Sequence, residues 1–210
     1  MRILIACEES QAVCIEMRKR GHEAYSCDIQ DCSGGHPEWH IKGDALELLK
    51  LKWDMIIAHP PCTYLSCAGA LRTFPKPGVP DPVRYAKGEE AAKFFMQFWN
   101  ADCPRVVIEN PLPMGCFGLP KYSQIIHPYM FGDPWYKRTC LWIRGVAPLV
   151  PMQAPVEPTG YWVNARVPVR KDMRRGHNDP KMRSKTFHGI ARAMAVEWTD
   201  DITGGVNDEY

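Results

Sequence analysis

Cys62 follows Pro60 and Pro61 where the apolar run Trp53 to Ala58 stops, and Glu109 follows the apolar run Arg105 to Ile108. Two prolines preset φ and remove amide donors, so the turn they make is stiff and presents the next side chain outward, a sensible mount for a thiolate nucleophile. A carboxyl group at the mouth of a sheet can hold or deliver a proton to whatever that nucleophile attacks. Taken singly, each residue has a plainer reading: a small buried thiol for Cys62, an N-cap or surface ion pair for Glu109. A third charge, Asp28, ends the run Glu23 to Cys27.

The elements that would carry these groups can be read from periodicity. Arg2 to Ala6 is a short apolar strand, and Gln11 to Arg20 carries Ala12, Val13, Ile15 and Met17 at helical spacing before Gly21. Glu23 to Cys27, Trp53 to Ala58, Arg105 to Ile108 and Thr139 to Ile143 read as further strands. A proline-rich stretch from Phe74 to Pro82 leads into a helical pattern from about Arg84 to Trp99, and Gly189 to Trp198 is a final amphipathic helix. Nearly all-apolar strands alternating with helices predict an α/β sheet of Rossmann type covered on both faces. Ligands of such sheets bind outside the carboxyl ends of the strands, where Asp28, Cys62 and Glu109 fall, so the three groups are expected to share one crevice.

With 210 residues, 45% of them apolar and 24% charged, the chain can build a real core, which excludes general disorder and a repeat array. No stretch approaches about 18 uninterrupted apolar residues, and the opening apolar run turns acidic at Glu8, so neither a membrane span nor a signal peptide is expected and the predicted location is cytoplasmic. Nine cysteines without a Cys-x-x-Cys pair point to reduced thiols. The net charge of +2 is unevenly spread: Tyr161 to Ala195 holds nine Lys or Arg against two Asp, so the rest of the chain is net −5. Such a basic face suits a polyanion, and Arg166, Arg170, Lys171, Arg174 and Arg175 are the candidate phosphate contacts, with Tyr161 and Trp162 available for stacking.

Pro60-Pro61-Cys62, Glu109-Asn110-Pro111 and their order, nucleophile turn then helix then strand then glutamate, resemble the cytosine C5 DNA methyltransferases, and more narrowly a compact version found among bacteriophage-encoded proteins. The resemblance covers roughly residues 1 to 145 and the last helix. It implies an S-adenosylmethionine-dependent methyltransferase sheet and transfer of a methyl group to cytosine C5 in DNA. Cys62 would add to C6 of a flipped base, and Glu109 would steady the ring at N3. It further implies that Asp28 meets the ribose of the donor, that Ile29 packs on its adenine and Asp44 contacts it, and that Pro60 borders the cofactor. Tyr136 to Trp142 resembles, offset by one residue, the family's Gln-x-Arg-x-Arg motif, which makes Arg138 the catalytic cation. Thr186 to Ala195 resembles the terminal motif beside the cofactor and brings His188 there.

The sequence also departs from the family. Its glycine-rich first loop is replaced by Ala6-Cys7-Glu8-Glu9-Ser10-Gln11, so Glu8 or Ser10 is expected to contact the amino-acid end of the donor. The changed residues leave open a carboxylated donor analogue read by Lys185 or His188, which would give carboxymethylcytosine. By this reading residues 1–145 form the catalytic domain, 146–183 a small basic DNA-contacting segment and 184–210 a helix returning to the catalytic domain. For a phage-encoded chain the cytoplasm would be the host's. Competing readings are a non-catalytic nucleic-acid-binding protein, methylation of RNA or free nucleotides, and a zinc site at Cys27, Cys32, His36 and His40, whose types and spacing approach tetrahedral ligation.

Overall fold

A strand buried on both faces sends alternate side chains into two different cores, and that is what the apolar runs encode. The computed structural model describes residues 1–162, 173–176 and 179–199. In chain order these form β1 (Arg2–Ala6), α1 (Ala12–Lys19), β2 (Glu23–Asp28), β3 (His40–Lys42), α2 (Ala45–Leu48), β4 (Met55–Ala58), α3 (Ala70–Thr73), α4 (Pro82–Trp99) and β5 (Val106–Pro111). There follow β6 (Gln124–Ile126), β7 (Trp135–Tyr136), β8 (Thr139–Arg144), β9 (Gly160–Tyr161), β10 (Arg174–Arg175), α5 (Pro180–Ser184) and α6 (His188–Glu197). Seven strands make one sheet in the order β3-β2-β1-β4-β5-β8-β6; the first five are parallel, and β8 lies antiparallel between β5 and β6. The fold class is therefore the expected one, an α/β sheet with helices on both faces.

Ile3 and Ile5 of β1, Met55 and Ile57 of β4, Val107 of β5 and Leu141 of β8 face one core, closed by Val13 and Met17 of α1 and by Ile190, Ala191 and Met194 of α6. Leu4, Ala6, Ile56, Ala58, Ile108 and Trp142 face the other, where α4 lays Ala92, Phe95 and Phe98. Trp142 and Phe95 meet edge to face with centroids 4.9 Å apart, a pairing worth about 1 kcal/mol beyond its buried area. Leu149 also lies in the first core, held there by reciprocal hydrogen bonds between its backbone and the Gln124 amide.

Two boundaries differ from those expected, and one small sheet is added. The long helix starts at Pro82 rather than near Arg84, because the Asp81 carboxylate accepts the Arg84 amide as an N-cap and proline suits the first helical position. β5 does not stop at Ile108: antiparallel pairing with β8 carries it through Glu109, Asn110 and Pro111. A three-stranded sheet, β10-β9-β7, lies beside the main one and stacks Tyr136 on Tyr161 at 5.1 Å. Among the described residues no helix is long and apolar enough to cross a membrane.

Candidate active site

At the carboxyl end of β4, the His59 amide donates to Ala6 of β1, which keeps the chain in line with the sheet before two prolines turn it outward. Pro60 is buried and its carbonyl accepts the Asn110 side-chain amide at 2.8 Å. The Cys62 carbonyl then accepts the amides of Leu65 and Ser66, closing a tight turn. That turn is tied to the chain beyond β5 by Cys67 N donating to Leu112 O and Met114 N donating to Leu65 O, with Ser66 and Pro113 bridged. The segments bearing Cys62 and Glu109 are thus held together by backbone bonds on one side and by Asn110 on the other.

The electrostatics place both groups in one neighbourhood. Burial, followed by the Glu109 charge, raises the Cys62 thiol above its ordinary value; Lys137 and Arg183 work against that rise. Burial pushes the Glu109 carboxyl up, but the Lys137 ammonium, the His59 imidazole and Thr139 together outweigh it and hold Glu109 below the usual carboxylate range. His59 Nδ1 lies 3.2 Å from Glu109 Oε2, with side chains only 8% and 10% exposed. The cation beside this pair is Lys137. Arg138, which the resemblance favoured, is exposed, and its charge acts on Cys67, His127 and Cys140 instead. The one-residue offset of that motif was the signal for Lys137; His59 and Asn110 adjoin the two motifs, but nothing local marks their partners, each 50 positions away in sequence.

The β1–β2 end of the sheet is a second cluster. Asp28 and Asp44 both act, after burial, to raise the Cys7 thiol, so the two carboxylates stand near the end of β1 together. Ile29 beside them is 76% exposed, an apolar surface open to a flat ring. One oxygen of Asp28 accepts the Gln30 amide, and one of Asp44 accepts the Leu46 amide as the cap of α2. Each carboxylate thus does local capping with one oxygen, which leaves the other for a hydroxyl or amine. This donor set, two acids beside an exposed aliphatic side chain, fits the ribose and base of an adenosine.

The expectation for Glu8 is corrected. It is 4% exposed, and its carboxylate accepts the Val13 and Cys14 amides at the start of α1, at 2.7 and 3.2 Å. Both oxygens of Glu8 thus accept backbone donors at the positive end of the helix, and the side chain is turned into the protein rather than toward solvent. Burial still pushes it up to about 7. The loop that carries it reaches the left-handed region without glycine: Cys7 and Gln11 both have φ of 59°. That conformation costs roughly 1 to 2 kcal/mol per residue, and at Gln11 the side chain offsets it by binding Ser26 Oγ and both backbone groups of His36. Gly34 packs on it so closely that a Cβ there would stand 2.6 Å from Gln11 Cβ. Ser10, in the same loop, is half-buried.

The remaining candidates are scattered. His188 is exposed at the start of α6, with Nδ1 3.7 Å from Glu16 of α1. It lines a cleft of about 300 Å³ with Phe131, Asp133 and Arg192, and its described contacts do not lead to Asp28 or Asp44. Arg166, Arg170 and Lys171 lie outside the described residues. Arg174 and Arg175 form β10, and the Arg174 guanidinium lies over the Trp135 ring at 5.2 Å. Three of the four potential zinc ligands are engaged elsewhere: Cys27 Sγ lies by Gly43 O, His40 bonds Ser26 and Gln30, and His36 bonds Glu38 while stacking on Trp39. Among the described residues no group of three or more His, Cys, Asp or Glu is arranged to hold a metal ion.

No protein-family model and no curated protein matches the chain. Solved structures similar to it include a putative DNA modification methyltransferase encoded within a prophage of E. coli, at 12% identity over 74% of this chain with a TM-score of 0.44. Another is a mutant of Spodoptera frugiperda DNMT2, at 15% identity over 83% of this chain with a TM-score of 0.40. The chain spans 52% and 57% of those two chains respectively.

Proposed function

We propose that the chain methylates cytosine at C5 in DNA, with S-adenosylmethionine as donor. The observation that carries this reading is the joint mounting of Cys62 and Glu109: a thiol on the turn after β4 lies in the field of a carboxylate on β5, and Lys137 acts on both. A thiolate at C6 breaks the aromaticity of the ring and makes C5 nucleophilic. The charge that then develops on the ring is met at N3 by Glu109, with Lys137 adding positive potential over the pair. Asn110 keeps the Pro60-Pro61-Cys62 turn against β5 so that sulfur and carboxyl address one ring. Bound S-adenosylmethionine would supply the electrophilic methyl group, held by Asp28, Asp44 and Ile29. The basic stretch around Arg174 supports a polymeric substrate, and because C6 is shielded in a stacked duplex, the target base must leave the stack.

The test is incubation of the protein with donor and cytosine-containing DNA, followed by nucleoside mass spectrometry. The expected product is 5-methylcytosine; unmodified cytosine under conditions where donor and DNA both bind would overturn the reading. Cys62→Ser is expected to abolish turnover while leaving donor affinity unchanged, and retained turnover would remove Cys62 from the mechanism.

A further inference from the structure

Glu109 is held ionised by the groups around it, yet on the reading above a proton must sit at ring N3 as sulfur adds. The proton has to come from a neighbour. Among the described residues, His59 is the titratable side chain hydrogen-bonded to Glu109, through Nδ1 at 3.2 Å, and both side chains are nine-tenths buried, away from water that could do the same work. The other ring nitrogen, Nε2, is buried and has no hydrogen-bond partner among the described residues. It is not a structural tether on its far side, and the ring makes its described hydrogen bond toward the carboxylate alone. Its backbone amide donates to the Ala6 carbonyl, which fixes the point at the end of β4 from which the ring extends.

We infer that His59 is the proton store of this site, giving its Nδ1 proton to Glu109 as Glu109 protonates the ring and taking it back when the adduct collapses. The inference rests on the cytosine reading. The balance is closed. The Cys62 thiol first gives its proton to solvent water. As the thiolate sulfur bonds C6, the C5–C6 π pair becomes the C4–C5 bond and the C4–N3 π pair moves onto N3. N3 takes the proton that His59 Nδ1 has delivered to the Glu109 carboxylate, leaving a neutral imidazole and an ionised Glu109. After C5 has taken the methyl group, its proton passes to solvent water, the pair left behind rebuilds the C5–C6 double bond as the sulfur departs with the S–C6 pair, and the N3 proton returns through Glu109 to His59. The charged and titratable groups facing the His59–Glu109 pair are Glu8 from the loop after β1, Cys62 from its own turn, Lys137 from between β7 and β8, Cys140 from β8, and, acting on Cys62, Arg183 from α5. Of these, His59 alone has a proton within hydrogen-bond reach of Glu109 in the described contacts.

The discriminating variant is His59→Asn, whose side-chain amide reaches the place of Nδ1 and can still donate to Glu109 but cannot give up a proton near neutrality. It is expected to lower kcat about a hundredfold, to leave the KM for DNA and donor within twofold, and to differ from the wild type in the pH profile of kcat. An unchanged kcat and profile would make His59 a mere structural donor and overturn the inference while the cytosine reading stands. A second readout needs no turnover. The wild type should show a slowly exchanging, downfield imidazole N–H proton resonance that is lost in both His59→Asn and Glu109→Gln. Its absence from the wild type, or its survival in Glu109→Gln, would overturn the inference even if His59→Asn fails to fold. If the wild type yields no cytosine product, the reading itself fails and the proton loses its destination.

Discussion

At the β4–β5 half of the sheet edge, polar side chains hold one another across about fifty residues of sequence; at the β1–β2 half, carboxylates hold the backbone beside them. His59 meets Glu109 and Asn110 meets Pro60, pairs that exist only once β4 and β5 lie side by side. Glu8, Asp28 and Asp44 instead accept amides two to six positions along the chain. The first arrangement forms only when the sheet is complete, so its chemistry and its folding are coupled. The second forms with each local turn, and at Asp28 and Asp44 it leaves one carboxylate oxygen free of these backbone bonds.

The strongest way to break this contrast is at Glu109. Glu109→Gln keeps the shape of the side chain but cannot carry a proton or a charge, and is expected to lower turnover by 10² to 10⁴, with donor affinity unaltered by calorimetry. Equal losses in turnover and donor binding would show that the two halves are not separable. Next comes Glu8. Its carboxyl is raised to about 7, so between its unfolded value near 4.5 and 7 the folded chain holds a proton that the unfolded chain has lost, and stability contributed by the neutral form fades as pH rises through 7. Wild type should therefore lose about 2 kcal/mol relative to Glu8→Gln between pH 5 and pH 8 in denaturant titrations. No pH-dependent difference would mean that the α1 amides, not burial, govern Glu8.

Asn110→Ala sharpens the contrast from the other side. It leaves the buried Pro60 carbonyl without its donor, at a cost of about 1 to 3 kcal/mol, readable as a drop of several degrees in Tm. Turnover should fall further than Tm alone explains, because the Cys62 turn loses its hold on β5. The smallest expected effect is at Lys137, whose charge opposes the rise of the Cys62 thiol. In Lys137→Met the pH at which iodoacetamide labels the Cys62 peptide should move upward. A shift downward would reverse the sign of this interaction.

The fold was legible where burial is two-sided, because runs such as Ile3 to Ala6 and Val106 to Ile108 admit no other use. The ends of elements were less so. Asp81-Pro82 is a capping signature that a proline-rich neighbourhood conceals, and the extension of β5 depends on β8, about thirty residues away. In the site, Cys62 and Glu109 stood out because each interrupts an apolar run. His59 did not, since a histidine before two prolines looks like any turn residue until the sheet puts Glu109 next to it. Arg138 was the expected cation because the family pattern prizes arginine, whereas it is the charge of Lys137 that acts on Glu109 and Cys62. Glu8 misled because a carboxylate near a helix start has two uses, and sequence does not say whether the helix or a ligand claims it.

The backbone bonds joining Leu65 to Met114 and Cys67 to Leu112 have a mechanical consequence. A turn anchored only at its roots could swing aside to let a ring enter, taking the sulfur out of alignment and needing to find it again. Here the two arms of the clamp are riveted together, so any opening carries residues 62–67 and 112–114 as one piece. The turn that bears the thiol is thereby fastened to the chain just beyond the carboxyl-bearing strand, and the two would travel together in any such opening.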